Sequence, residues 1–317
     1  HISRLRLFGV KELYIEDACS AGINCTETVS EETRVEAKNL VRKIMSTNGT
    51  SLESQFVYVE KYVNLIIEQL LHKEEIIINL NEIRIVDDYT FEHSVNVCVL
   101  SLIMGISLGY EQNDLFELGI GAILHDIGKL KVPDNILKKP SQLTADEFTV
   151  IQNHAYYGYE ILSLCKNISE RSAEVALYHH ERADGSGYPN NLKLKDIPEF
   201  ARITAVADVF DALSSDRVYR NKLSIRAVVE YMTSIAVKNF DENVMRNFIR
   251  FIEIFPVGSI VLLCNGEKAI VLTTNKTNPT KPKVRIVKDK EGVLLLNYFE
   301  RDLSSESNLY VLQNCEL

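Results

Sequence analysis

The chain has 317 residues, room for about two or three domains, and its 46% hydrophobic and 25% charged content is the balance of an ordinary globular protein. Its formal net charge of −9 excludes general attachment to nucleic acid backbones, though not a small anionic ligand in a locally basic, metal-lined pocket. Cys19, Cys25, Cys98, Cys165, Cys264 and Cys315 form no Cys-x-x-Cys pair, which argues against a zinc ribbon or disulfide scaffold and for reduced thiols in a cytoplasm. No leader peptide is legible. The longest apolar run, Val95 to Gly109, is too short to span a bilayer and holds Asn96, Ser101 and Ser107, so a buried helix is expected there.

Residues 1–50 read as a small α/β unit, a sensory or packing module with no chemical motif. Lys11 to Ile15 can form a short strand. Ser30 precedes a helix with Val35, Leu40, Val41, Ile44 and Met45 at helical spacing, ended by Asn48-Gly49. Over 51–79 a second amphipathic helix, with Phe56, Val59, Val63, Ile66, Ile67 and Leu70 on one face, is read as a packed linker. Through Ile66 and Leu70 it could also serve as a homodimer seam.

A long helical region follows over 80–255. One helix near Tyr89–Leu108 carries His93, and another runs from Asp114 through LHDIGK to Gly128. Pro133 and Pro140 bound a loop. Thr144-x-x-Glu147 is a capping-box pattern opening the helix expected to carry His154. A helix from about Ser169 delivers His179 and His180, and residues 184–189 form a turn cluster. A helix from about Glu199 carries Asp208 and Asp211, and two more are expected near 224–237 and 241–254. Past Phe255-Pro256-Val257-Gly258, the runs SIVLLCN, KAIVLTT, KVRIVKD and VLLLNYF predict a small β barrel or open sheet over 256–317, with turns at Asn265-Gly266 and Glu291-Gly292. The expected fold class is mainly α: an all-helical metal-binding bundle with a small α/β segment before it and a small β extension after it.

Seven histidines are present, and all but His1 and His72 fall between His93 and Asp208. Histidine is the commonest transition-metal ligand, and carboxylates complete nitrogen–oxygen sites. Asp126, beside His125, can bridge two ions. His93, His125 and Asp208 could complete the first, and His154, His179 and His180 the second. These donors, free of thiolate, suit iron, manganese or zinc. Two such ions acidify a bridging water and clamp both oxygens of an in-line attack on a phosphoester. Oxygen chemistry at paired irons is the competing use, and the basic side chains nearby weigh against it. Lys129, one turn past Asp126, can bind a phosphate oxygen or help the leaving group; as a plain helix-end lysine it would only favour the helix dipole. Arg217 and Arg220 could clamp a second phosphate or lie solvated. Gly185 and Gly187 would let the backbone approach a ligand, and Tyr188 could stack on a base or hold a phosphate.

The segments DYTFEHS (88–94), LHDIGKLKVP (124–133), ILKKPSQLTADEF (136–148), NHAYYGYEIL (153–162), HHERADGSGYP (179–189) and ARITAVADVFDALSSDRVYR (201–220) together resemble the HD-GYP family, a branch of the HD phosphohydrolases, over roughly residues 80–250. The resemblance implies an HD-type helical bundle that hydrolyses the bacterial messenger cyclic di-GMP to linear pGpG, often further to GMP. Some members accept the mixed cyclic GMP-AMP dinucleotide. By position, it implies metal ligands at His93, His125, Asp126, His154, His179, His180 and Asp208. It also implies a catalytic lysine at Lys129, the signature triplet at Gly187, Tyr188 and Pro189, and phosphate contacts at Arg217 and Arg220. Members with three ions place a Glu four residues before the first histidine. Tyr89 stands there, and Asp88 and Glu92 are out of phase with His93, so two divalent ions are expected, Fe or Mn foremost with Zn or Ni as options. The expected product is then pGpG. Residues 256–317 resemble the β extension that follows this domain in some members. A non-hydrolysing cyclic di-GMP receptor or signalling scaffold is the alternative, disfavoured by the intact ligands, Lys129 and Gly-Tyr-Pro stretch.

Overall fold

The computed structural model describes residues 19–23, 27–46, 52–73, 89–215, 223–275, 278 and 280–315. Contacts divide the described residues into two units, those between 27 and 252 and those from 253 onward together with residues 19–23.

In the first unit, Ser30 caps α1 (Glu31–Ser46), its hydroxyl accepting the Thr33 N–H at 3.3 Å, with Glu31 and Glu32 favourably placed at the positive end of the dipole. The stripe Ala37, Leu40, Val41 and Ile44 is buried, as is the face of α2 (Leu52–Leu71) formed by Phe56, Val59, Val63, Ile66, Ile67 and Leu70. Both stripes join one core with α3 (Tyr89–Ser107) and α4 (Gln112–Ile123). The core therefore does not divide at residue 50, where the sequence reading places a border. Ile66 and Leu70 are fully enclosed in that core, which removes them as a dimer seam. The α2–α4 contact is close: a Cβ at Gly119 would stand 2.6 Å from Val63 Cγ1.

Helix α4 ends at Ile123, sooner than expected, so His125 and Asp126 lie in a turn before a 3-10 helix over Ile127–Lys131. The backbone has a steric reason to turn here. At Gly128 it presses on the chain at His154 so tightly that a Cβ would fall 1.9 Å from the His154 carbonyl oxygen and 2.4 Å from Gly158 N. After α5 (Asp134–Leu137), the capping box opens α6 (Ala145–Gln152) as expected: Glu147 N–H donates to Thr144 Oγ1 at 3.2 Å and Thr144 N–H to Glu147 Oε2 at 2.8 Å. His154 does not ride on α6. The chain breaks at Asn153 and His154 opens α7 (His154–Ser163). Helix α8 (Glu170–Tyr178), capped by Ser169, stops just before His179. Helices α9 (Glu199–Ser214), α10 (Ile225–Asn239) and α11 (Glu242–Phe251) complete the unit.

The second unit holds a five-stranded antiparallel sheet of β1 (Ile260–Leu263), β2 (Lys268–Thr273), β3 (Lys283–Lys288), β4 (Leu294–Asp302) and β5 (Val311–Asn314), in the order β4-β3-β2-β1-β5. The expected glycine turns are present, with Gly266 at φ +93° and Gly292 at φ +81°. Val261, Leu263, Ala269, Val271, Val284 and Ile286 form its core. Strand β5 was not expected: only Val311 in it is buried, so it lacks the apolar run that marked the others. Arg285 donates to the carbonyls of Cys19 (3.1 Å) and Ala21 (2.8 Å), tying the N-terminal stretch to β3.

The expected strand at Lys11–Ile15, the Asn48-Gly49 turn, Asp88, Arg217 and Arg220 lie outside the described residues. No described cysteine is in a disulfide, and no helix among the described residues is long and apolar enough to cross a membrane.

Candidate metal centre

All seven expected ligands of the bundle converge. Asp126, His154, His179 and His180 form one donor group, and His93, His125 and Asp208 form another, with ligand atoms in each group within 4.8 Å of one another. Asp126 faces both: its Oδ1 lies 3.4 Å from His154 Nε2, and its Oδ2 lies 3.4 Å from His125 Nε2 and 3.9 Å from His93 Nε2. Asp208 likewise lies 3.1 Å from His93 Nε2 and 3.8 Å from His180 Nδ1. Neither group includes Glu92, and of Tyr89 only the backbone is described, at the first position of α3.

Local structure decides which nitrogen each ring presents. The Nδ1 atoms of His125, His154 and His179 lie 2.7, 2.6 and 3.0 Å from the carbonyls of Ala122, Ile151 and Val175, one turn back in the chain. A carbonyl only accepts, so each Nδ1 carries the proton and each Nε2 is a bare lone pair. The His179 and His180 Nε2 atoms lie 3.5 and 3.2 Å from His154 Nε2, and the buried His125 Nε2 has no hydrogen-bond partner among the described residues. Converging lone pairs beside two buried carboxylates cannot satisfy one another, and they fit a divalent cation.

The electrostatics agree. Burial disfavours charge on His93, but hydrogen bonds and negative charge from Asp208 and Asp211 outweigh it and raise its pKa to about 9. Burial first, then His125 and His154, lowers His179 to about 3, and burial holds His154 and His180 down as well. Burial raises Asp126, but Lys129 and His125 hold it well below the usual carboxylate range. Against the same burial, His93 holds Asp208 there. Neutral imidazoles and ionised carboxylates are the forms that bind metals, so His154, His179, His180, Asp126 and Asp208 are ready for an ion, whereas His93 must give up a proton to bind one. Lys129 Nζ donates to Asp126 Oδ2.

The turn after the paired histidines forms one wall. Buried Glu181 accepts the N–H groups of Asn190 (2.7 Å) and Leu192 (2.9 Å), pinning the loop. Gly187 passes so near the chain that a Cβ would lie 2.4 Å from Arg182 N. The Tyr188 ring then packs 4.6 Å from the His180 ring and 6.4 Å from those of His154 and Phe148, followed by a cis bond to Pro189. The sequence reading left Glu181 and Gly128 without a role, and left Asp211 and Asn96 outside the site. For the last two a signal existed: each stands one helical turn past a ligand, Asp208 and His93 respectively.

Residues 68–244 match the HD domain family, and residues 260–316 match the KOW domain associated with HD domain. A cyclic di-GMP phosphodiesterase of Pseudomonas aeruginosa is 36% identical over 224 residues, 71% of this chain and 54% of that protein. A cyclic di-GMP phosphodiesterase of Thermotoga maritima is 36% identical over 214 residues, 67% of this chain and 55% of that protein. The chain thus spans about half the length of these curated relatives. The solved structure of an HDG"Y"P protein from Bdellovibrio bacteriovorus shares the fold at a TM-score of 0.50 and 18% identity, over 68% of this chain and 69% of that one. The first match covers more than half of the chain and contains every donor of the centre, and this chain belongs to the HD domain family.

Proposed function

We propose that this protein is a metal-dependent phosphodiesterase of the HD-GYP branch that opens cyclic di-GMP to linear pGpG. The observation that carries this reading is the pair of donor groups joined at Asp126. The curated relatives, named cyclic di-GMP phosphodiesterases, support the substrate. His93, His125 and Asp208 would hold one ion, and His154, His179 and His180 the other, with one Asp126 oxygen toward each. Nitrogen and oxygen donors without thiolate favour Fe or Mn, with Zn or Ni also compatible.

Two divalent ions at these positions would supply an acidified water and neutralise charge on the phosphodiester. Asp126 sets the spacing of the two donor groups. Lys129, which pairs with Asp126 Oδ2, would hold a non-bridging phosphate oxygen and give the leaving 3′ oxygen its proton. Tyr188 offers an aromatic wall to a base, and Gly187 lets the wall stand close. Arg217 and Arg220 remain proposed phosphate contacts. Within the expected 80–255 hydrolase region we assign the catalytic unit, extended by α1 and α2 because they share its core, with 256–317 as the appended sheet. Polymeric nucleic acid is not a proposed partner, and the cytoplasm stays the proposed location, since no described cysteine is in a disulfide.

The test is to load the protein anaerobically with iron(II) or manganese(II), incubate it with cyclic di-GMP, and separate the products beside an Asp126→Asn control. Formation of pGpG that is lost in the control is expected. A large GMP peak would overturn the limit to one cut. Ligand binding without product would replace the enzyme by a receptor, and no binding would overturn the substrate.

A further inference from the structure

A line of hydrogen bonds, part-buried at Arg34 and buried beyond it, runs from α1 into the metal centre. Asp211, fully buried on α9, accepts from His93 Nδ1 at 2.7 Å through Oδ2. Its Oδ1 accepts from Asn96 Nδ2 at 2.9 Å and from Ser215 Oγ at 3.3 Å. Asn96, also buried, accepts from Arg34 Nη1 of α1 at 3.1 Å through Oδ1. The polarity of this line is forced. A guanidinium only donates and a carboxylate only accepts, so the Asn96 amide between them must give Oδ1 to Arg34 and its N–H to Asp211. Asp211 in turn holds a proton on His93 Nδ1, so that once the ring is neutral Nε2, 3.1 Å from Asp208 Oδ1, is the atom left to bind an ion.

Arg34, Asn96 and Asp211 belong to neither donor group. Partners of this kind act on a metal by fixing the tautomer and direction of the ligand they touch. The helix that bears Arg34 stands before the matched HD segment. We propose that Asp211, Asn96 and Arg34 are positioning residues for His93, and that through them α1 is a working part of the metal centre. The inference rests on the metal-dependent reading above. It adds that a displacement of α1 is transmitted to the His93 group of donors as a change in metal affinity.

The test is a metal titration of the full chain against a competing chelator, with manganese(II) as probe and the melting temperature of the metal-free protein as a control for folding. Asp211→Asn places an NH2 where a lone pair is needed, so either His93 or Asn96 faces a donor. One of the two ions should bind about 10–100-fold more weakly, with the other near its wild-type affinity. Arg34→Met should weaken the same ion about threefold or more, and Arg34→Lys should restore most of the loss by returning a cationic donor. In the double variant, Arg34→Met should add little to Asp211→Asn, because the line is already cut.

Wild-type affinity in Asp211→Asn, or losses that multiply independently, would overturn the proposal. Should Asp211→Asn fail to fold, the Arg34 pair decides: equal affinity in Arg34→Met, Arg34→Lys and wild type overturns it. The readout is metal binding alone. A wild-type protein that binds two ions yet leaves cyclic di-GMP intact would refute the hydrolase reading and leave the relay standing.

Discussion

His93 and Asp208 are carried inside α3 and α9 and are held by side chains: Asp208 pairs with His93, and His93 is braced by Asp211, which Asn96 holds in turn. His154, His179 and Asp126 sit at helix ends and turns and are braced by main chain: carbonyls of Ile151, Val175 and Ala176, and the glycine contact at residue 128. His125 belongs to the first group but is held in the second manner, by the Ala122 carbonyl. Two halves of one centre are thus made rigid by different physics. Side-chain changes should weaken the first half selectively, and backbone changes the second.

The largest effect that separates the halves is expected from Gly128→Ala. A methyl group 1.9 Å from the His154 carbonyl oxygen forces the turn and α7 apart. Urea unfolding should show a loss of about 3 kcal/mol or more. The ion at the His154 group should be lost before the other. An unchanged unfolding midpoint would break the claim that backbone contact builds that half.

Lys129→Met should leave the fold and both ions in place and lower kcat by about 10²- to 10³-fold, because the proposed role of the lysine is on the phosphate and its leaving oxygen. Loss of metal in that variant would make Lys129 a structural residue.

The pH dependence of the metal-free protein compares the halves directly. His154, His179 and His180 are depressed, so below the unfolded value near 6.5 the unfolded chain binds more protons. Stability then falls with pH, down to about 3 for His179. His93 has the opposite sign: raised to about 9, it contributes stability that is full below about 6.5 and is lost as pH rises through about 9. Melting temperatures in excess chelator should therefore peak near pH 6.5. A monotonic rise across that range would show that His93 is not held charged by Asp208 and Asp211. The smallest effect is expected from Thr144→Ala, which removes the capping box of α6, an element without a donor. It should cost about 1 kcal/mol in unfolding and leave metal affinity unchanged.

The residues of the two donor groups were legible in the sequence because metal chemistry restricts residue type: few side chains could replace His125, Asp126 or the His179-His180 pair. The helical bundle and four of the strands were legible from apolar periodicity, and Thr144 from its cap. The break at Asn153 and the early end of α4 were not, since both depend on a backbone contact between Gly128 and His154 that is distant in sequence. Glycine at residue 128 looked like a helix-end residue and is a packing requirement. Residues 1–50 looked separable because they carry no motif, yet the apolar stripe of α1 finds its burial against α3. The one-turn spacing puts Asp211 on the face of Asp208, but spacing alone does not tell a buried carboxylate that touches a donor from one that faces solvent.

The central claim is that one carboxylate joins the two donor groups, and it is tested most directly by counting ions. Anaerobic titration with manganese(II) should find two ions per wild-type chain, one for each donor group. Because Asp126 Oδ1 faces His154 while Oδ2 faces His125 and His93, Asp126→Asn should weaken both. A single ion in the wild-type protein, or a loss in Asp126→Asn confined to one of the two, would contradict the account.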